Sequence, residues 1–189
     1  MGWTIDDIPD LHGRIALVTG ANRGLGFETT RALLRSGATV LMACRSRRKG
    51  EAARSELLKV GASGVDLLEL DLADLDNVES CCKDIQSRYE RLDLLINNAE
   101  IVNGFGHKID QINIEDIKEV YEINFFSIIR TIQTLKPLLN QSEEPRIINI
   151  TSSLGDINKM KDESFCYSGY SLTAYSTSNS SYRITCTIS

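Results

Sequence analysis

Residues 14–37, RIALVTGANRGLGFETTRALLRSG, constrain the rest of the chain more than any other stretch. Ile15 to Val18 form an apolar run that reads as a buried strand. The pattern then changes period: Phe27, Ala32, Leu33 and Leu34 share a helical face until Gly37 stops it. Between strand and helix stand Gly20, Gly24 and Gly26, spaced G-x-x-x-G-x-G. Glycine suits a chain that must turn sharply and let its backbone approach a ligand. The helix beyond aims orphan N–H groups and its positive dipole end at the same spot. A pyrophosphate fits there, which makes Gly20, Asn22, Arg23, Gly24, Leu25 and Gly26 candidate cofactor-binding residues. The plainer alternative is a glycine turn that holds nothing.

The same alternation recurs downstream. "ATVLMAC", "VDLLELDL", "LDLLINNA" and "PRIINITSS" read as further strands. Helical patterns separate them: "KGEAARSELLKVG", residues 74–89, and a long run over residues 114–139 stopped or kinked near Pro137. Strands separated by such helices pair in parallel through right-handed crossovers, with helices on both faces. The near-continuous apolar strands agree. The fold class is therefore α/β, a doubly wound parallel sheet of Rossmann type in one domain over residues 1–189, incomplete at its C-terminal end. Hydrophobic residues at 42% and charged residues at 25% suit a soluble globular chain of 189 residues.

Several classes are disfavoured. A net charge of −5 offers no global attraction to nucleic acid or anionic membrane. No apolar run approaches the roughly 20 residues of a membrane span. The start, "MGWTIDDIPD", lacks a signal-peptide pattern, and Asp6 stands where a myristoylation site wants Ser or Thr. Five cysteines, odd in number and including an adjacent pair, suggest neither a disulfide framework nor a metal spacing. A cytoplasmic protein with reduced thiols and no metal is the expectation. Past about Asp162 the composition shifts: from 164 to 189 only Arg183 is charged, and 12 of the 26 residues are Ser or Thr. The end, "NSSYRITCTIS", shows neither a helical nor a clean strand period.

"TGANRGLG" resembles the nucleotide-binding loop of the short-chain dehydrogenase/reductase family, as "LLINNAE" resembles a second motif of it. The resemblance runs from about Gly13 to Ser178, with carbonyl-reductase-like and retinol-dehydrogenase-like members in view. An NAD binder ends its second strand with an acid that holds the ribose 2′-OH. Here that strand ends "MACRSRRK", without a carboxylate. Guanidinium suits a 2′-phosphate, so Arg45 and Arg23 point to NADP(H), while Arg47, Arg48 and Lys49 read as solvated. Asp71 with Leu72 stands where similar proteins hold adenine, or Asp71 caps the next helix. Asn97, Asn98 and Ala99 end the fourth strand, where they can line the ribose. The family's next residue is glycine; this chain has Glu100, whose carboxylate would repel a dinucleotide unless it points away.

The resemblance implies hydride exchange between the nicotinamide and a small carbonyl or alcohol substrate. It assigns Asn124 to a water relay, Ser152 to the substrate oxygen and Tyr175 to proton donation. Plainer readings stand beside these: Asn124 as a helix-packing polar residue, Ser153 in place of Ser152, and Tyr167 or Tyr170 in place of Tyr175 by spacing alone. The family's lysine four residues past the tyrosine is Asn179 here. A cation about 5 Å from the phenol at an effective dielectric near 20 contributes roughly 3 kcal/mol. Its loss is on the order of a hundredfold in rate. Weak or absent turnover by a C-terminally truncated chain is therefore expected, with a catalytically inactive dinucleotide binder or a non-functional variant as the alternative. "NSS" is what Lys-Ala-Ala becomes if one T enters AAA-GCA-GC, a frameshift that the coding DNA would reveal. An uncovered fifth strand at the sheet edge would favour aggregation.

Overall fold

Strands β1 (Ile15–Thr19), β2 (Thr39–Cys44), β3 (Val65–Glu69), β4 (Leu94–Asn97) and β5 (Arg146–Asn149) form one sheet in the order β3-β2-β1-β4-β5. The computed structural model describes residues 2, 4–59, 61–104, 106–107, 110–162, 164 and 173–180. Every pairing is parallel: Leu17 sits beside Leu41 and Leu95, and Ile96 beside Ile148. The chain builds outward from β1 to β3, then returns across the sheet to β4. The strand order therefore reverses between β1 and β4, which opens a crevice at their carboxyl ends.

Helices α1 (Gly24–Arg35), α2 (Arg47–Lys59), α3 (Leu75–Arg88), α4 (Ile114–Tyr121) and α5 (Ser127–Leu139) supply the crossovers. Because strand side chains alternate, β1 feeds two cores. Leu17 packs with Leu41, Leu95, Ile85 and Leu135 on one face. Ala16 and Val18 pack with Val40, Met42, Leu33 and Leu57 on the other. Burial on both faces explains the continuous apolar runs. At the opposite end from the crevice, Asp93 is 1% exposed at its side chain and anchors several elements. It accepts from the backbone N–H of Ile15 at 2.8 Å, from Ser142 Oγ at 2.7 Å and from Arg14 at 3.0 Å.

Three differences from the sequence expectation concern helices. The run over residues 114–139 is interrupted by a π turn at Glu122–Phe126, not at Pro137, which lies in the last turn of α5. Proline there removes only one N–H, and the helix ends within two residues anyway. The cap of α3 is Asp74, which accepts from the N–H groups of Asp76 and Asn77, so Asp71 is not the cap. Beyond the expected pattern, α6 (Ile157–Lys161) and α7 (Thr173–Ser180) are helical. The Ser- and Thr-rich composition hid α7, since these residues compete for backbone hydrogen bonds. Tyr167, Tyr170 and the segment from 181 onward lie outside the described residues. Strand β5 is an edge of the described sheet, with Ile148 40% exposed, and no strand covers it among the described residues.

Candidate active site

The crevice above β1 and β4 is a cleft of about 500 Å³. Its floor is the turn from β1 into α1. Gly20 (φ +66°) and Gly24 (φ +55°) have left-handed backbone conformations that favour glycine. Gly26 is required for another reason: a Cβ there would lie 2.5 Å from Asn98 Nδ2 and from the Gly20 carbonyl oxygen. At Gly24 a Cβ would meet nothing within 4 Å, so the turn is open toward the cleft. Helix α1 begins without a side-chain cap and without an acid in its first turn. Helices α3 and α4, by contrast, are capped by Asp74 and Asn113. The first N–H groups of α1 are thus left for an anion.

The structure gathers most of the expected cofactor residues around this turn. Asn22, Arg23, Gly24, Leu25, Arg45, Asp71, Leu72, Asn98 and Ala99 line the cleft with the glycines. Asp71 accepts from Ala73 N at 3.1 Å, a local turn that leaves the residue at the cleft wall. Lys49, expected to be merely solvated, also lines it, because the first turn of α2 rises beside the end of β2. Asn97 departs from expectation. It is 3% exposed, and its Nδ2 donates to Asn149 Oδ1 at 2.8 Å, tying β4 to β5 instead of facing the cleft. Thr19, not singled out in the sequence, holds the two sides together: its Oγ1 accepts from Asn98 N and Ala99 N, both at 3.0 Å.

Asn124 sits in the π turn and is 2% exposed. Its amide is satisfied twice by one residue: Oδ1 accepts from Ile101 N and Nδ2 donates to Ile101 O, each at 2.9 Å. A π turn commonly marks a functional position inside a helix, and here it orients an amide that fixes the loop after β4.

Tyr175, Asn179 and Ser152 come together on α7 and the turn after β5. Residues 175 and 179 share a face of α7, and both are nearly buried. Asn179 Oδ1 accepts from Ser152 N at 3.1 Å, and its Nδ2 donates to the Tyr175 carbonyl at 3.1 Å. The amide thus braces Ser152 against α7, a hydrogen-bonding role that needs no charge. Gly155 packs so tightly against this brace that a Cβ would lie 2.6 Å from the Cβ of Asn179.

The Tyr175 hydroxyl donates to Glu100 Oε2 at 2.7 Å. Burial, then Glu100, push the phenol up to about 12, and hydrogen bonds from Ser152 and Asn179 only partly oppose them. Glu100 also lines the cleft, as do Ile101 and Ile123. The carboxylate therefore does not point away from the cleft, the condition under which it would leave a dinucleotide undisturbed. Its proximity to Tyr175 could not be read from 75 positions of sequence separation. The one available signal was a carboxylate where the family has glycine.

A glycine turn feeding an uncapped helix at the switch point of a parallel sheet defines a protein of the Rossmann-like, dinucleotide-binding class. Within that class the chain belongs to the short chain dehydrogenase family, whose sequence profile matches residues 14–178. It is similar to retinol dehydrogenase 14 of Homo sapiens, 37% identical over 183 residues that cover 84% of this chain and 53% of the relative. (+)-Neomenthol dehydrogenase of Arabidopsis thaliana is 33% identical over 169 residues, covering 79% and 57%. Among solved structures, the RhlG/NADP active-site complex of Pseudomonas aeruginosa superposes with a TM-score of 0.77 at 28% identity, over 90% of this chain and 63% of that one. The chain spans a little over half the length of the curated relatives it matches.

Proposed function

We propose that the cleft binds NADP(H) and that Ser152 and Tyr175 serve hydride exchange between the nicotinamide and a small carbonyl or alcohol substrate, with slow turnover in this chain. The observation that carries the cofactor reading is the uncapped start of α1 over a turn open at Gly24, with Arg23, Arg45 and Lys49 in the same cleft. The α1 N–H groups would hold the pyrophosphate. The guanidinium groups and Lys49 would face the 2′-phosphate, which no acid at the end of β2 opposes. Asp71 and Leu72 would flank the adenine. The structural neighbour from Pseudomonas aeruginosa, an NADP complex, supports the same reading.

The bound dinucleotide supplies the hydride chemistry; the chain supplies orientation and a proton. Ser152 would donate to the substrate oxygen. Tyr175 would pass its phenolic proton to that oxygen as the alcohol forms. Two features slow the step. The phenolic proton is engaged by Glu100 at 2.7 Å, so a substrate must compete for it. Asn179 hydrogen-bonds where a cation would stabilise tyrosinate. The same two features favour a second reading, a binder that turns nothing over.

Burial pushes the Cys81 thiol up to about 11 and the Cys82 thiol to about 12, too high for easy reactivity. No helix among the described residues is long and apolar enough to cross a membrane. Titrating the protein with NADPH and NADH by cofactor fluorescence, beside a carbonyl-reduction assay, tests the proposal. NADPH binding at least tenfold tighter than NADH is expected, with slow turnover. Failure to bind either cofactor removes the cofactor reading; tight binding with no turnover of any carbonyl leaves the binder.

A further inference from the structure

The charged residues lining the cleft are unevenly distributed. Arg23, Arg45, Lys49 and Asp71 stand at the β1 turn and the β2 and β3 side. On the β4 side the charged residue is Glu100. A dinucleotide in a doubly wound sheet straddles the switch point, with its pyrophosphate at the β1 turn and its adenosine half over β2. The other half, which carries the nicotinamide, would then lie toward β4 and Glu100. The nicotinamide ring is cationic when oxidised and neutral when reduced. No lysine stands at 179 to offset the carboxylate, because that position is an asparagine bonded to Ser152.

We infer that Glu100 sets the redox preference of the site, so that the chain binds NADP+ more tightly than NADPH. This rests on the NADP(H) reading above. Glu100 reaches across to Tyr175, and that 2.7 Å bond from a neutral phenol holds the carboxylate on the β4 side of the cleft without neutralising it. Both cofactor forms carry the same phosphates, so the basic end of the cleft cancels in the comparison and the ring charge remains. Attraction between a partly exposed carboxylate and the ring cation is worth roughly fivefold in affinity. By linkage, fivefold tighter binding of the oxidised form lowers the potential of the bound couple by about 20 mV, which makes the bound reduced form a slightly stronger hydride donor.

Calorimetric titration of NADP+ and NADPH tests the preference in the unaltered chain and in the Glu100→Gln variant. The expected ratio is about fivefold in favour of NADP+ in the unaltered chain and near one in Glu100→Gln. In the unaltered chain alone, the ratio should also shrink as salt rises from about 10 mM to about 1 M, since the Debye length falls tenfold. That measurement stands even if a variant fails to fold. Equal binding of the two forms, or a preference that is insensitive to salt or unchanged in Glu100→Gln, overturns the inference and leaves the cofactor reading intact. Binding of neither form overturns both.

Discussion

Tyr175 and Asn179 show how one helical turn decides what a side chain can do. The frame "AYSTSN" marked the tyrosine in the sequence, and the i, i+4 spacing placed the asparagine beside it; the carboxylate came from the loop after β4 and could not be read locally. Two predictions belong here. Glu100→Gln should bring the phenol's midpoint down from about 12, read by ultraviolet difference titration, since it removes a charge and keeps a hydrogen-bond acceptor. Asn179→Lys should lower it as well and raise carbonyl reduction on the order of a hundredfold, because a cation then stabilises the tyrosinate. An Asn179→Lys protein with the unaltered phenol midpoint would mean that residue 179 does not act on Tyr175. Arg45 offers a separate test: Arg45→Ala should weaken NADPH on the order of tenfold and leave NADH nearly unchanged, consistent with loss of one charge-assisted bond.

Glycines 20, 24 and 26 looked alike in the sequence, yet the elements that meet at the turn ask different things of them. At Gly24 the demand is conformational: alanine there faces open space and should cost only about 1 kcal/mol for its left-handed backbone. At Gly26 alanine would push into Asn98 and the Gly20 carbonyl, displacing the β4 end from the turn. A loss of about 2–3 kcal/mol is expected, together with cofactor binding, by chemical denaturation and NADPH titration. Comparable damage from the two substitutions would contradict this distinction. The π turn is the other feature at this scale. A 3.6-residue pattern reads through Asn124 without a break, so periodicity gave no sign of the interruption. Asn124→Ala should cost about 2–3 kcal/mol, because the Ile101 N–H and carbonyl lose their partners in a buried place.

Across the whole molecule, the alternation of apolar runs with helical patterns was enough to recover the parallel sheet, because continuous strands and two-sided burial are the same fact seen in sequence and in space. The Asp93 anchor was not legible: a lone acid in "RLDLLIN" looks like surface until β1 and Ser142 close over it. Burial alone would raise its pKa, but hydrogen bonds from Ser142, Ile15, Arg14 and Arg91 outweigh burial and hold it below the usual carboxylate range. A depressed folded pKa contributes stability that is present above the unfolded value near 3.9 and is lost as pH falls through the folded one. Asp93→Asn should therefore destabilise by about 2–3 kcal/mol at neutral pH and flatten the acid limb of the stability curve below about pH 4. An unchanged acid limb would show that other carboxylates govern it. The Thr19 oxygen, which accepts from two successive N–H groups at the end of β4, bears on timing as well as shape. With both walls of the cleft pinned to one hydroxyl, a ligand arrives at a finished receptor and has nothing to mould. Association followed by stopped flow should be a single exponential, with a rate that rises linearly with ligand concentration and never saturates.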